Sequence, residues 1–203
     1  YVSNFERVYG SYHSDSVVLS HDIYRGYTPL YGNDTISGPS TYDPVNMSYV
    51  GYWNLENASS GREPTADSGV TDAHIVVNFD DRTIDKYITG GDFDINLDPN
   101  QADYTDTLTA GTYIEGVVGS RGGDIMYGLS DGMQSVLIDG QRNWTYGWLS
   151  GYYGDDTIVM SGSGDDFARG GYGNDLLIST GVGLNKLEGQ GQIHNDYPNH
   201  GII

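Results

Sequence analysis

Apolar residues in this chain come singly or in short runs, and no stretch of useful length keeps the i, i+3, i+4 spacing of one helix face. His74 to Phe79 (HIVVNF) and Asp92 to Leu97 (DFDINL) read as strands, the second alternating with period two. Pro and Gly clusters break the chain between such runs. The pattern therefore predicts an all-β protein. Its most regular part lies at 151–178, where three nine-residue units, GYYGDDTIV, SGSGDDFAR and GGYGNDLLI, stand end to end with only Met160 intervening. Each unit has Gly fourth (Gly154, Gly164, Gly173), Asp sixth (Asp156, Asp166, Asp175) and a small or branched apolar residue eighth (Ile158, Ala168, Leu177).

The spacing has a physical reading. Six Gly-rich residues turn the chain sharply, since Gly tolerates the positive φ that such turns need. The other three form a strand roughly 10 Å long, whose middle residue points inward and must be apolar. The sixth-place Asp projects a carboxylate from the turn, and the glycines leave backbone carbonyls bare beside it. Units run back and forth, so every second turn shares an edge, and strand spacing is expected to set those turns roughly 10 Å apart. A hard cation that takes 6–8 oxygens at about 2.3–2.6 Å then fits between two of them. The first and third units share an edge through Asp156 and Asp175; Asp166 belongs to the opposite edge.

Composition sharpens this picture. The formal net charge is −19, and of 28 acidic residues 23 are Asp, set against two Lys and seven Arg. Short-stemmed Asp suits turns and compact metal sites, whereas Glu suits helices. Such a charge disfavours nucleic acid and anionic membrane surfaces as partners. Eighteen Tyr and three Trp offer enough ring surface to argue against disorder. The expectation is a chain that repels itself until cations neutralise it. With no Cys there are neither disulfides nor thiolate metal sites. No apolar run approaches the length of a membrane span, and residues 1–30 do not read as a signal peptide. Beginning at Tyr1 without Met, the chain reads as a piece of something longer.

The repeat echoes elsewhere. Phe5-Glu6-Arg7-Val8-Tyr9-Gly10-Ser11 with Asp15 matches Ile114-Glu115-Gly116-Val117-Val118-Gly119-Ser120 with Asp124, an offset of 109. YGNDTISG from Tyr31 matches YGDDTIVMSG from Tyr153, an offset of 122, so the later copy has gained thirteen residues, all but one of them assigned to Asp139–Ser150. An internal duplication explains both. In the repeat frame Gly32 and Asp34, and Gly122 and Asp124, hold fourth and sixth places; Asp15 has His13 where Gly belongs. These turns are ion candidates or structural turns without metal. Past Ile178, Gly183 and Leu187 keep their places, but Asn185 replaces the sixth-place Asp. Three stretches result: 1–40, a degenerate repeat segment; 41–112, an irregular β segment that either continues the repeats or forms its own module; and 113–203, with the clearest repeats at 151–178.

Other motifs carry less. GLSDG (Gly128 to Gly132) fits the G-x-S-x-G expression, but a nucleophile elbow needs a helix after the Ser, and none is expected at Ser130. There is no H-E-x-x-H and no phosphate-binding loop. The expectation is a non-enzyme, any catalytic region lying outside this chain. His194 and His200 read as part of a solvated loop. Trp144 and Trp148 in the gained segment either stack on a sugar or cover the flank of the fold.

Residues 151–178 resemble the hemolysin-type calcium-binding repeats of the RTX (repeats-in-toxin) family, and the third unit meets G-G-x-G-x-D-x-U-x at every place. NFERVYGS and YIEGVVGS resemble the I-E-N-V-x-G-S lead-in to such repeats. The resemblance implies a right-handed parallel β-roll or β-helix solenoid, type I secretion, and folding on Ca²⁺ outside the cell; the residues of 41–112 add a less regular β insertion in the middle. Carried over, the ligands are Asp156, Asp166 and Asp175 with carbonyls of Gly151, Gly162, Gly164, Gly171 and Gly173; Gly154, Asp155, Asp165 and Asn174 complete the candidate set. Tyr152 and Ser161 replace repeat glycines and Met160 breaks the period, so about two to four ions are expected. The implied function is a calcium-binding structural or adhesive module of a secreted or cell-surface protein, its partners calcium, neighbouring repeats or surface polysaccharide. An export-and-folding tail of a secreted enzyme or toxin, or a polysaccharide-binding module, are the alternatives.

Overall fold

The structure, a computed structural model, describes residues 7–11, 13–19, 25–38, 48–52, 73–87, 102–110, 116–130, 134–138, 141–146, 148–162, 167–181 and 185–189. Among them there is no helix. In chain order the strands are β1 (Arg7–Tyr9), β2 (Ser16–Val18), β3 (Arg25–Thr28), β4 (Thr35–Ser37), β5 (Ser48–Gly51) and β6 (His74–Asn78). They continue with β7 (Thr83–Tyr87), β8 (Tyr104–Leu108), β9 (Gly116–Val118), β10 (Ile125–Tyr127), β11 (Gln134–Ile138) and β12 (Gln141–Tyr146). The last five are β13 (Trp148–Tyr153), β14 (Thr157–Met160), β15 (Phe167–Tyr172), β16 (Leu176–Ser179) and β17 (Lys186–Glu188).

These strands form two main sheets. A seven-stranded sheet, β1-β3-β5-β9-β13-β15-β17, is parallel throughout. An eight-stranded sheet runs β16-β14-β10-β6-β7-β8-β4-β2, antiparallel only at β6/β7 and β7/β8. The chain alternates between the sheets except at the β6-β7-β8 meander and at β11-β12, a separate antiparallel hairpin. Sheet-to-sheet crossings explain the strand lengths. A segment that buries one central side chain between two turns needs only three residues, the length of β1, β2, β4, β9, β10 and β17.

Register lines up those central side chains. Val8, Tyr27, Val50, Val117, Leu149, Ala168 and Leu187 follow one another across the parallel sheet. Leu177, Ile158, Met126 and Val77 do so across the mixed sheet. Both rows belong to a single apolar core. The eighth-place residues of the repeat, Ile158, Ala168 and Leu177, thus all face it or pack against it.

On this architecture two expectations change, the turn spacing and the limits of the gained segment, and the places of Trp148 and of 41–112, left open by the sequence, become visible. The turns carrying Asp156 and Asp175 join β13 to β14 and β15 to β16, which are directly paired strands. Those turns therefore sit one strand spacing apart, about 4.8 Å, rather than roughly 10 Å. The gained segment is the β11-β12 hairpin, Gln134–Tyr146, because Trp148 to Ser150 pair with β9 in the parallel sheet. Trp148 accordingly packs against the core, its ring over Gly116. The stretch 41–112 contributes β5 to the parallel sheet and β6, β7 and β8 to the mixed one, so both sheets run through it. DFDINL, His194 and His200 lie outside the described residues.

Inward and outward positions predict opposite mutational costs. Ile158→Ala, at a fully buried site, should destabilise by about 2–5 kcal/mol in urea unfolding. Val18→Ala, at a side chain 74% exposed, should stay within about 0.5 kcal/mol.

Candidate metal centre on the aspartate edge

Every crossing from the parallel sheet to the mixed sheet that carries a repeat turn ends in an Asp immediately before the next strand: Asp15, Asp34, Asp124, Asp156 and Asp175. Stacking of the crossings brings these residues into two rows, one on each side of the meander. Asp34, Asp124, Asp156 and Asp175 each accept, through Oδ1, a backbone N–H from the neighbouring rung. Asp124 N–H donates to Asp156 (2.8 Å) and Asp156 N–H to Asp175 (3.1 Å). Ile75 N–H donates to Asp124 (2.8 Å). On the other side of the meander, Asp15 N–H donates to Asp34 (2.9 Å) and Asp34 N–H to Asp106 (2.8 Å). Asp106 belongs to no turn; it lies within β8 and faces the interior.

The second carboxylate oxygen separates the sites. At Asp124, Oδ2 accepts the Ser120 N–H (2.7 Å), while the Ser120 hydroxyl donates to Oδ1 (2.8 Å). Asp15 repeats this with the Ser11 N–H (2.7 Å). The donor in both cases is the second residue of the turn. At Asp156 and Asp175 that place is held by Tyr152 and Gly171, which have φ of 83° and 123°. The inverted backbone turns the N–H elsewhere, and Gly171 donates to the Gly189 carbonyl (3.3 Å). Asp156 Oδ2 and Asp175 Oδ2 are thereby buried with no hydrogen-bond partner among the described residues. Leaving a buried acceptor unmet costs about 1–3 kcal/mol, more for a charge. Tyr152 adds to this, since a non-Gly residue at such a φ is strained.

Asp34 and Asp106 are met differently. The ammonium of Lys86, itself fully buried, lies 2.7 Å from Asp106 Oδ1 and 3.9 Å from Asp34 Oδ2, and donates to the Leu30 carbonyl at 3.2 Å. The Tyr27 hydroxyl donates to Asp34 Oδ2 (3.0 Å) and the Tyr52 hydroxyl to Asp106 Oδ2 (2.7 Å). Asp34, expected as an ion ligand beside Gly32, thus already has a cation and two donors, the Asp15 N–H and the Tyr27 hydroxyl.

Burial sets the electrostatics. It pushes Asp124 up to about 7, against the pull of its hydrogen bonds to Ile75 and Ser120. Burial, then the charges of Asp124 and Asp175, holds Asp156 well above the usual carboxylate range. Asp175 is raised by burial with a contribution from Asp155. In the Lys86 cluster burial pushes Asp106 up to about 6 although the ammonium opposes it.

The backbone around the two open carboxylates is close-packed. A side chain at Gly154 would strike the Gly122 carbonyl, and one at Gly173 the Gly154 carbonyl, so the fourth-place peptides stack rung over rung. A Cβ at Gly171 would lie 2.5 Å from the Tyr152 carbonyl. Gly151 is pressed against the Asp156 carboxylate and the Gly170 carbonyl. Gly32 stacks on the His13 backbone, which fills the same fourth place. Gly162, with φ of 111°, belongs to the opposite crossing. Asp155 is exposed and accepts the Asn174 N–H (2.8 Å), making an outer rung. Gly164, Asp165 and Asp166 lie outside the described residues.

Among the described residues no three His, Cys, Asp or Glu side chains converge as a metal cluster. Any ion on this edge would be held by two carboxylates and backbone carbonyls. That donor set is all oxygen, and the two unmet Oδ2 atoms give it charge, which suits a hard divalent cation. Sequence reasoning placed Asp156 and Asp175 together, but missed Asp106, Lys86, Tyr27, Tyr52 and Ser120. Parity held a signal for two of them. TIDKY puts Lys86 in step with Ile84, and YTDTL puts Asp106 in step with Leu108, so both point inward.

No protein-family model matches this chain, and no curated protein matches it.

The raised carboxylates fix the sign of a pH dependence. Between about 4 and about 7 the folded chain holds protons that the unfolded chain has released, so stability falls as pH rises through that window. In chelator, the urea midpoint should therefore be higher at pH 5 than at pH 8, and Asp156→Asn should shrink the difference. A midpoint that rises with pH would mean the carboxylates are already compensated.

Proposed function

We propose that this chain is a calcium-binding structural or adhesive module of a larger extracellular protein, and that calcium completes its fold after export. On this reading the two-sheet winding is a right-handed parallel β-roll of the RTX kind, and the β6-β7-β8 meander is its irregular insertion. The observation that carries the proposal is the pair of neighbouring buried carboxylates, Asp156 and Asp175, each with Oδ2 unmet, in a chain of net charge −19. Supporting it, rungs recur at 19 residues on both sides of the meander, as expected of two linked nonapeptides plus one residue.

Asp156 and Asp175 would hold the ion, with carbonyls of the stacked turns completing its shell. A bound divalent cation would offset the repulsion between the two buried carboxylates and let both stay ionised. Tyr152 and Gly171 act by keeping their N–H groups off those carboxylates. The binding free energy then adds directly to folding. Extracellular modules of this type respond in the ~10⁻⁴–10⁻³ M range.

A calcium titration followed by circular dichroism and thermal unfolding tests this. Stability should rise by about 2.7 kcal/mol at a hundredfold excess over Kd and fall back on adding chelator. Asp156→Asn and Asp175→Asn should each lose most of that gain while remaining folded. Identical melting in calcium and in chelator would sink the proposal.

A further inference from the structure

Lys86 stands where a lysine is least expected. Fully buried ammonium groups are rare because desolvation strongly disfavours the charge. Here the side chain points from β7 into the core, at the inward parity shared with Ile84. Register explains what it is doing there. Across the mixed sheet the row of Asp175, Asp156 and Asp124 continues through Ile75 to Lys86. The row of Asp15 and Asp34 continues through Asp106 to Ile84. The two aspartate rows meet at β7 two residues out of step, and the ammonium fills the step. Its neighbours are all oxygen: Asp106 Oδ1 at 2.7 Å, the Leu30 carbonyl at 3.2 Å and Asp34 Oδ2 at 3.9 Å. Tyr104 adds its ring face at 5.8 Å.

We propose that Asp34, Asp106 and the Leu30 carbonyl form a second cation site whose resident ion is the chain's own Lys86 ammonium, so that this half of the protein folds without divalent ions. The meander that interrupts the alternation of sheets is then the device that delivers the charge. β7 brings the ammonium, and β8 brings one of the two carboxylates it serves. The tyrosine hydroxyls of Tyr27 and Tyr52 take the remaining carboxylate oxygens, leaving nothing on these two residues comparable to the unmet Oδ2 atoms of Asp156 and Asp175. The protein is divided accordingly. One part carries a permanent counter-ion and the other awaits one from solution, a division that rests on the calcium reading above.

Hydrogen exchange with mass spectrometry on the full chain, in chelator and in millimolar calcium, tests this segment by segment. β7 and β8 should be equally protected in both conditions. Lys86→Met should lower their protection in chelator by about a hundredfold, because two buried carboxylates lose their cation. Millimolar calcium should restore it by entering the vacated oxygens. The triple variant Lys86→Met, Asp34→Asn, Asp106→Asn should be protected without calcium, which distinguishes lost charge from poor packing of Met. Calcium-dependent protection of β7 and β8 in the parent chain, or unchanged protection in Lys86→Met, overturns the inference. So does a Lys86→Met variant that calcium does not rescue, or a triple variant that stays unprotected. Protection of β14 and β16 in the parent chain, read in the same experiment, judges the calcium reading separately.

Discussion

The fold depends on one repeated contact, a buried carboxylate oxygen accepting the backbone N–H of the next rung. It appears at Asp34, Asp106, Asp124, Asp156 and Asp175. The contact does two things at once. It satisfies an amide that would otherwise be orphaned where the chain leaves one sheet for the other, and it fixes register, because slipping a rung by one residue would carry the Asp to the outer face. Bonds to a charged acceptor contribute about 1.5–3 kcal/mol each. Against that stands the cost of assembling buried acids in a row, which the raised pKa values of Asp106, Asp124 and Asp156 record.

What distinguishes one rung from another is the leftover oxygen. Ser11 and Ser120 meet it with a backbone amide in the turn itself. Tyr27 and Tyr52 meet it from the parallel sheet and from the residue just past it, and Lys86 adds a charge. Tyr152 and Gly171 decline to meet it by adopting positive φ. At Asp15, Asp124, Asp156 and Asp175 the second turn residue therefore separates an Oδ2 that is met from one that is not, whereas Asp34 is served from outside its turn. Glycine adopts positive φ without strain. Tyr152 does it with strain, and its ring stands edge-on to Tyr153, which stacks on Tyr172 at 4.6 Å.

The aspartate edge was largely legible in the sequence, since the fourth, sixth and eighth places of the repeat carry geometry that the core confirms at Ile158 and Ala168. HIVVN was legible as a strand for the same reason, its inward residues being apolar. The Lys86 cluster was not, because a lysine and an aspartate at inward parity look like ordinary outward-facing residues until the partner strands are known. β7 and β8 pair across a gap in sequence that no local pattern spans. The spacing of the turns was misjudged by counting strands along the chain rather than across the sheet. The limits of the gained segment were drawn by its tryptophans, whereas Trp148 belongs to the parallel sheet.

The β11-β12 hairpin lies between β10 and β13, at the far side from the carboxylates, and the interval from Asp124 to Asp156 is 32 residues where the next, Asp156 to Asp175, needs 19. Thirteen extra residues were thus absorbed without breaking the hydrogen bond between the flanking rungs. The two margins of this protein differ in what they tolerate: one is a rigid spine whose steps cannot change length, the other an open seam where chain can be spliced in.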